Sequence, residues 1–246
     1  MPQPELSVVI PAYNEERVIA STIQSVVVYL GGTGTSCEVI IVDDGSTDAT
    51  VRVVQEAAAQ HPGVRLLASP HLGKGGAVKQ GVLSAQGRSI LFMDADSSTR
   101  IEEWAKFAPW LSRGFQVVIG SRKMPGAEVV VRQPVLREAM GKVFTWLTNQ
   151  LLTGGVSDIT CGFKAFETGA AREIFGLQRM HGWGFDAEIL FIARRRDYGI
   201  KEVPVVWADD ASTKVRLGRD ALGSFQELLQ IRLGAWRGWY QPRGAA

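Results

Sequence analysis

The chain has 246 residues, a formal net charge of +2 at pH 7, 46% hydrophobic residues and 21% charged residues. This composition is too apolar for a disordered chain and too poor in proline and glycine for a fibrous protein. A net charge close to zero argues against a nucleic-acid-binding protein, which needs a basic surface. The length suits a single α/β domain, and we expect residues 1–246 to form one.

The basic residues are concentrated towards the end of the chain. Residues 194–246 contain ten Lys and Arg residues against six Asp and Glu residues, whereas the preceding part is slightly acidic. This asymmetry is typical of a chain end that faces an anionic partner such as a membrane surface. The N-terminus has no secretory-signal pattern, and the uncharged stretch 18–37 is too polar to span a membrane. Cys37 and Cys161 are expected to be free thiols.

Strand and helix patterns alternate along the first half of the chain. The predicted strands are 6–10, 38–42, 64–67, 89–93 and 116–119, and the predicted helices are 15–30, about 47–60, 73–86 and 101–111. Ser46 or Thr47 is a candidate N-cap of the second helix. The alternation predicts a mostly parallel sheet with helices on both faces, which binds ligands at the carboxyl ends of its strands.

The second half is expected to complete the same domain, because no linker separates it from the first. The predicted elements are a helix at 134–152, short strands at 158–166, a helix at 185–196, a strand at 202–206 and a helix at 220–240. One apolar stripe on the last helix contains Leu222, Phe225, Leu229, Leu233, Trp236 and Tyr240, with arginines among them. The stripe either packs on the core or rests on an anionic membrane, with 143–152 as a second interfacial segment.

Asp94 and Asp96 follow the predicted strand 89–93 directly. Two carboxylates at this spacing can hold Mg²⁺ or Mn²⁺, which prefer oxygen ligands and often bridge substrate phosphates. A solvated turn is the alternative, since aspartate is common in turns.

Asp43 and Asp44 follow another strand, where a carboxylate can bind a base or ribose. Next, the segment from His71 to Ala77 opens a helix with three glycines and Lys74. Exposed backbone N–H groups, the helix dipole and the lysine charge could bind phosphate there. A flexible turn is the competing interpretation of this segment.

The four motifs Val8–Glu15, Ile41–Ser46, Gly73–Gly75 and Asp94–Asp96, in this order, resemble the family 2 inverting glycosyltransferases. This resemblance implies a Rossmann-like GT-A fold, with residues 1–122 as the nucleotide-sugar-binding half. Motifs in the second half resemble the dolichyl- and polyprenyl-phosphate sugar transferases; they are Gly120–Arg122, Ser157–Phe166, Trp183–Glu188, Val206–Trp207 and Ser212–Val215. Residues 123–215 would then bind the acceptor, and residues 216–246 would form the basic amphipathic helix.

Within that group the sequence looks most like the dolichyl-phosphate β-glucosyltransferases. The mannosyl branch commonly has Leu-Gln after its Asp-Ala-Asp motif, where this chain has Ser97 and Ser98. The resemblance therefore implies transfer of glucose from UDP-glucose to a dolichyl or polyprenyl phosphate, giving a β-linked product. The open alternatives are a GDP-mannose-dependent transferase and a family 2 enzyme with a soluble or glycan acceptor. A non-catalytic sensor is disfavoured because Asp94, Asp96 and Asp158 are intact.

The resemblance also assigns roles to individual residues. The residues implied to bind the nucleotide sugar are Pro11, Tyr13, Asn14, Glu15, Asp43, Asp44, Lys74, Asp94 and Ala95, and those implied to hold Mg²⁺ or Mn²⁺ are Asp94 and Asp96. The acceptor phosphate would be bound by Arg122, Arg137 and Lys214, since arginine suits bidentate phosphate contacts. Arg132 is a less favoured candidate, for which a solvated surface charge is the preferred interpretation. Asp158, Asp96 and Arg122 are implied to be catalytic. We expect a cytoplasmic protein, peripheral on the cytoplasmic face of a membrane.

Overall fold

The computed structural model describes residues 3–131, 133–209 and 219–241. Within these ranges nine strands are present, numbered β1 to β9: Leu6–Ala12, Cys37–Asp43, Val64–Ala68, Ser89–Met93, Val117–Ser121, Glu128–Val131, Phe163–Glu167, Ile200–Pro204 and Val206–Ala208. The same ranges contain eight α-helices, α1 to α8: Ile19–Thr33, Thr50–Gln60, Lys74–Ser84, Trp104–Ser112, Val135–Thr148, Thr168–Leu177, Phe185–Arg195 and Arg219–Trp236. A 3-10 turn at Ile101–Glu103 precedes α4, and a π-helical turn at Asn149–Thr153 follows α5.

Seven strands form the main sheet in the order β3-β2-β1-β4-β7-β5-β8. Every neighbouring pair is parallel except for β7, which runs antiparallel between β4 and β5. Strands β6 and β9 form a separate parallel pair. The order reverses beside β1, between β2 and β4, and in open α/β sheets such a switch point marks the ligand-binding crevice.

The sheet separates two hydrophobic clusters. One contains side chains of α1, α2 and α4, including Ile23, Val54 and Phe107, and the other contains side chains of α3, α6, α7 and α8. The central strands are almost continuously buried, as in the run Leu6–Ile10. Strands buried on both faces read as unbroken apolar runs, which is why the sequence indicates them so clearly.

The predicted α/β architecture with helices on both faces of a mostly parallel sheet is confirmed. Three details differ from the sequence-based expectation. The segment 158–166 contributes one strand, β7, while Asp158 lies in the loop before it, and α6, β6 and β9 were not predicted. The helix α2 begins at Thr50 with no side-chain cap from Ser46 or Thr47, so that N-cap prediction was wrong. Cys37 and Cys161 are free thiols, as expected.

The last helix, α8, has two different apolar faces. Leu228, Ile231 and Ala235 are buried against the core, and Tyr240 beyond the helix is buried too. Leu229, Leu233 and Trp236 of the predicted stripe are exposed, and Phe225 is half-buried against Phe144 of α5. The side chain of Leu222 lies outside the described residues. The predicted stripe is thus divided: Tyr240 packs on the core, whereas Leu229, Leu233 and Trp236 are exposed, and their contact with a membrane stays a prediction.

No helix among the described residues combines the length and the apolar character needed to cross a membrane.

Candidate active site

The polar motifs lie together at the carboxyl ends of β1, β2 and β4, beside the switch point of the sheet. The chain leaves β1 at Ala12, β2 at Asp43 and β4 at Met93. Because these three strands are parallel neighbours, their carboxyl ends meet at one edge. The structure therefore brings together the residues that the sequence analysis assigned to a nucleotide sugar.

The segment after β1 is fixed against the segment after β2. Asn14 has a left-handed backbone (φ 55°), and its Oδ1 accepts a hydrogen bond from the backbone N of Thr47 (2.7 Å). Its own backbone N donates to Oγ of Ser46 (2.8 Å), and the backbone N of Glu15 donates to Oγ1 of Thr50 (2.7 Å). Asparagine tolerates this backbone conformation better than most residues. Ser46 and Thr47 thus anchor the segment that carries Tyr13 and Asn14.

Asp43 and Asp44 are both buried and accept hydrogen bonds from the backbone. The carboxylate of Asp43 accepts from the backbone N of Gly45 and Ser46. Oδ1 of Asp44 accepts from the backbone N of Leu72 (2.8 Å), and Oδ2 accepts from that of Gly73 (2.9 Å). Asp44 therefore holds the glycine-rich segment in place beside the end of β2.

The glycine-rich segment differs from the expectation that its N–H groups face a phosphate. Beyond the two N–H groups bonded to Asp44, those of Gly75 and Gly76 donate to the carbonyl of His181 (2.8 and 3.3 Å). A Cβ at Gly73, whose φ is +95°, would lie 2.8 Å from the same carbonyl oxygen. The glycines at this helix start therefore allow close packing, and the charge available to a phosphate is that of Lys74.

The rings of Tyr13 and His71 stack on each other at the same edge of the sheet. Their ring centroids are 4.4 Å apart with an interplanar angle of 28°. Both side chains are exposed, and Nδ1 of His71 lies 2.8 Å from the carbonyl oxygen of Asp44. A flat exposed surface of this kind can stack on a nucleobase.

Asp94 and Asp96 follow β4 as two partly exposed carboxylates. Nζ of Lys74 lies 2.6 Å from Oδ1 of Asp94. Burial raises the pKa of Asp96, and repulsion from the negative charge of Asp94 raises it further. Burial also lowers the pKa of Lys74, but the charges of Asp94 and Asp186 outweigh it and leave that pKa raised.

The carboxylates of Asp94 and Asp96 have the chemistry that binds a divalent cation. They supply hard oxygen donors, and the ammonium of Lys74 already sits as a cation against Asp94. The described residues contain no group of three or more His, Cys, Asp or Glu side chains that could hold a metal. A cation here would need further oxygen ligands from a substrate or from water. Mg²⁺ commonly binds in this way, held by one or two carboxylates together with waters and substrate phosphates.

A second ion pair lies buried beneath these aspartates. Lys164 on β7 is fully buried, and its Nζ donates to Oδ1 of Asp186 on α7 and to the carbonyl of Cys161 (2.6 Å). Burial raises the pKa of Asp186 despite the opposing charges of Lys164 and Lys74. Glu188 lies in the first turn of α7, as Asp186 does, but has other partners: it accepts hydrogen bonds from the backbone N of Arg179 and Met180 and from the hydroxyl of Tyr240.

Asp158 and Arg122 form the third charged group of the site. Nε of Arg122 donates to Oδ2 of Asp158 (2.7 Å), Nη2 donates to Oδ1 (2.8 Å), and the backbone N of Arg122 donates to Oδ2 (3.0 Å). Burial alone would raise the pKa of Asp158, but the charge and hydrogen bonds of Arg122 lower it to about 2. Trp207 lies under the guanidinium, with its ring centroid 5.1 Å away.

The other cations assigned to the acceptor are not placed by the structure. Arg132, Lys214 and the side chain of Arg137 lie outside the described residues. Arg122 is therefore the member of that set whose position is known, and it lies at the end of β5, with its side chain 16% exposed.

Sequence reasoning missed several residues that shape the site. Glu202 accepts hydrogen bonds from the backbone N and Oγ of Ser157 (2.9 and 2.6 Å) and so fixes the loop that carries Asp158. Gly162 packs so closely on Asp94 that a Cβ would lie 1.9 Å from Oδ2. The sequence could have indicated Lys164, because a lysine within an apolar strand pattern is expected to be buried with a charged or hydrogen-bonding partner.

Comparison with known proteins identifies relatives over almost the whole chain. Residues 7–175 match the family described as Glycosyl transferase family 2. A dolichyl-phosphate beta-glucosyltransferase of Trichomonas vaginalis is 36% identical, over 93% of this chain and 72% of the relative. Those of Drosophila melanogaster and Homo sapiens are 34% and 32% identical, each over 96% of this chain and 78% of the relative.

Solved structures share the fold at lower identity. Mannosyl-3-phosphoglycerate synthase from Rubrobacter xylanophilus superposes with a TM-score of 0.72 at 18% identity, covering 97% of this chain and 76% of that one. Glucosyl-3-phosphoglycerate synthase from Mycobacterium tuberculosis, solved with Mn²⁺, uridine diphosphate and glucosyl-3-phosphoglycerate, gives 0.63 at 23% identity, covering 93% and 80%. These likenesses establish a GT-A-like fold, and the family match covers more than half of the chain. This chain therefore belongs to glycosyl transferase family 2 and is a glycosyltransferase.

Proposed function

We propose that this glycosyltransferase moves glucose from UDP-glucose to a dolichyl or polyprenyl phosphate with inversion at the anomeric carbon. The observation that carries the proposal is the 32–36% identity, over 93–96% of the chain, to relatives named dolichyl-phosphate beta-glucosyltransferases. The arrangement of the charged groups supports the proposal. Asp94 and Asp96, proposed for the donor, follow β4, and Arg122, proposed for the acceptor, follows β5 of the same sheet.

The nucleotide half of the donor would lie at the ends of β1 and β2. The exposed ring of Tyr13, backed by His71, offers a surface for the base. The residues assigned to this role are Pro11, Tyr13, Asn14, Glu15, Asp43, Asp44 and Ala95. Asp44 and Asn14 would contribute chiefly by fixing the segments around them, because their side-chain oxygens accept hydrogen bonds from backbone N–H groups.

Asp94 and Asp96 would hold Mg²⁺ or Mn²⁺ together with the diphosphate of the donor. When bound, the ion supplies Lewis-acid stabilisation of the charge that develops on the departing UDP. Lys74 lies beside Asp94 and can add its positive charge to the same leaving group.

The nucleophile would be an oxygen of the acceptor phosphate. A phosphate monoester has a second pKa of about 6, so it is mostly ionised at neutral pH and needs positioning more than a base. Its oxygen forms the new bond to the anomeric carbon while the bond to UDP breaks, and UDP keeps the electron pair. Attack from the face opposite UDP converts an α-linked donor into a β-linked product.

Arg122 is suited to position that phosphate. Its contacts to Asp158 use Nε and Nη2 of the guanidinium, which leaves Nη1 for an acceptor oxygen. Asp158, fully buried and with a pKa lowered to about 2, is suited to orient Arg122 and poorly suited to accept a proton. We therefore assign Asp158 a positioning role and Arg122 the direct contact with the acceptor.

A lipid acceptor also requires the protein to work at a membrane surface. Helices α5 and α8 pack together through Phe144 and Phe225, and both expose large apolar side chains. Trp146 on α5 is 61% exposed, and Leu229 and Trp236 on α8 are 57% and 72% exposed. Arg232 lies beside Trp236, and mixed apolar and basic surfaces of this kind bind anionic lipid interfaces. We propose peripheral attachment to the cytoplasmic face of a membrane through α5 and α8.

The proposal is tested by incubating the protein with labelled UDP-glucose, Mg²⁺ and polyprenyl phosphate, followed by lipid extraction. We expect label in the organic phase as a β-linked, acid-labile lipid phosphate sugar. Label that remains wholly in the aqueous phase would refute a lipid acceptor and favour a soluble or glycan acceptor. A parallel reaction with labelled GDP-mannose tests the mannosyl alternative, and a thermal-shift panel of sugar nucleotides with Mn²⁺ ranks the donors.

A further inference from the structure

Lys74 occupies an unusual place for a lysine that is expected to contact a donor phosphate. Its Nζ lies 2.6 Å from Oδ1 of Asp94, one of the two carboxylates proposed to hold the divalent ion. The side chains of Lys74 and Asp94 are only 19% and 29% exposed, so solvent screens this pair weakly. A metal ion cannot bind that oxygen while the ammonium group remains there.

Asp94 has little freedom to move away from the lysine. Gly162 packs against its carboxylate, and the backbone N of Asp94 donates to the carbonyl of Gly162 (3.1 Å). Lys74, in contrast, ends in a flexible four-carbon stem, and it is the first residue of α3. If a cation arrives at Asp94, the lysine is the group that shifts.

A second contact is available to the ammonium group if it leaves Asp94. Nζ of Lys74 lies 5.4 Å from the centroid of the Trp183 ring, two residues before α7 begins at Phe185. An aromatic face at this distance attracts a cation. Trp183 can therefore keep the ammonium close to Asp94, where the diphosphate of a donor would also lie.

We propose that Lys74 is an internal counter-ion of the metal site, which holds Asp94 until a divalent ion displaces it and which then binds the donor diphosphate. The inference rests on the proposed metal and donor sites. It makes the lysine a competitor of the metal in the absence of donor and a partner of the donor once the metal is bound. Metal and nucleotide then bind cooperatively, since each favours the same position of Lys74.

The test measures Mn²⁺ binding to the full chain without nucleotide, from the electron paramagnetic resonance signal of free Mn²⁺. Lys74→Met removes the competing charge, so we expect Mn²⁺ to bind on the order of tenfold more tightly than to the wild type. Asp94→Asn should lose this binding. Lys106→Met is the matched control, because it removes the same charge from a lysine paired with Glu103 on the opposite helical layer, and it should bind Mn²⁺ like the wild type.

UDP binding in the presence of saturating Mn²⁺ completes the test. Here Lys74→Met should bind UDP at least about fivefold more weakly, because the diphosphate loses a cation. Mn²⁺ affinity that is unchanged or weaker in Lys74→Met overturns the inference, whereas a missing lipid product would overturn the proposed acceptor and leave this result intact. Lys74→Gln provides a second neutral variant if the methionine variant does not fold, and Lys74→Arg should keep affinity for Mn²⁺ near that of the wild type.

Discussion

The carboxylate of Asp158 accepts three hydrogen bonds from one residue, Arg122, through its Nε, its Nη2 and its backbone N. This geometry fixes the plane of the guanidinium and the direction in which its remaining edge points. Trp207 below the guanidinium and Thr160, whose Oγ1 accepts from Nη2 (3.0 Å), restrict it further. A pair of this kind positions a cation for an anionic partner.

Replacing Asp158 by Asn should remove most of the turnover while leaving UDP binding intact. The amide keeps the size of the side chain but loses the charge that orients Arg122, and a misplaced group can cost on the order of a hundredfold in rate. Steady-state kinetics and calorimetric UDP binding measure the two effects separately. Thr160→Val removes a single contact of Arg122 and should cost less. Turnover close to the wild-type value in Asp158→Asn would sink the positioning role.

The same substitution should lower the free energy of unfolding by a constant amount at every pH above about 4. The pKa of Asp158 is lowered to about 2, so its charge stabilises the fold above its unfolded pKa of about 4. That stabilisation is lost as the pH falls from about 4 through about 2. We expect Asp158→Asn to be less stable by about 3 kcal/mol at neutral pH, because Arg122 loses its partner.

Urea unfolding of both proteins between about pH 5 and about pH 8 provides the measurement. The difference in the free energy of unfolding between the wild type and Asp158→Asn should stay constant over this range. A difference that shrinks between about pH 7 and about pH 5 would contradict the lowered pKa.

The first half of the fold follows from the sequence because its signals are local. Runs such as Val8–Ile10 and Ile40–Val42 are buried on both faces, and each ends in a polar motif that marks the carboxyl edge. The antiparallel strand β7 was harder to predict, because its direction depends on its insertion between β4 and β5. Sequence alone cannot specify that long-range pairing.

The site shows the same limit. Asp94, Asp158 and Arg122 could be selected by residue type and motif, and the structure pairs two of them directly. The buried pair of Lys164 and Asp186 and the support of Ser157 by Glu202 join segments 22 and 45 residues apart. Such partners become visible only when the strands are in place. The partners of the glycine-rich segment were hidden for the same reason, because Asp44 and His181, which accept its N–H groups, lie far from it along the chain.

Gly162→Ala should disrupt the metal site through a single methyl group. The new Cβ would lie 1.9 Å from Oδ2 of Asp94, so the carboxylate must move. We expect Mn²⁺ affinity to fall at least about tenfold and the free energy of unfolding to fall by about 1–3 kcal/mol. Metal binding is followed by electron paramagnetic resonance and stability by urea unfolding.

Gly176→Ala is the matched control for this change. Gly176 lies within α6, and a Cβ there has no heavy atom within 4 Å. Alanine in an open helical position should stabilise the protein by about 0.5–1 kcal/mol and leave Mn²⁺ binding unchanged. Full Mn²⁺ affinity in Gly162→Ala would show that Asp94 does not need its present position.

The exposed apolar face of α8 should mediate membrane attachment. Deleting residues 219–246 is a poor test, because Leu228 and Ile231 would be lost from the core. The triple change Leu229→Ser, Leu233→Ser and Trp236→Ser alters only exposed side chains of α8 and should reduce binding to phosphatidylglycerol-containing vesicles by at least about tenfold.

Vesicle co-sedimentation measures this loss, and thermal unfolding checks that the triple variant remains folded. Val28→Ser on α1 removes an apolar side chain that is 60% exposed on the other side of the sheet, and its binding should match the wild type. Because Arg232 lies beside Trp236 and Arg237 follows it in the sequence, added salt should weaken wild-type binding as well. If the triple variant sediments with vesicles as well as the wild type does, the membrane surface lies elsewhere on the protein.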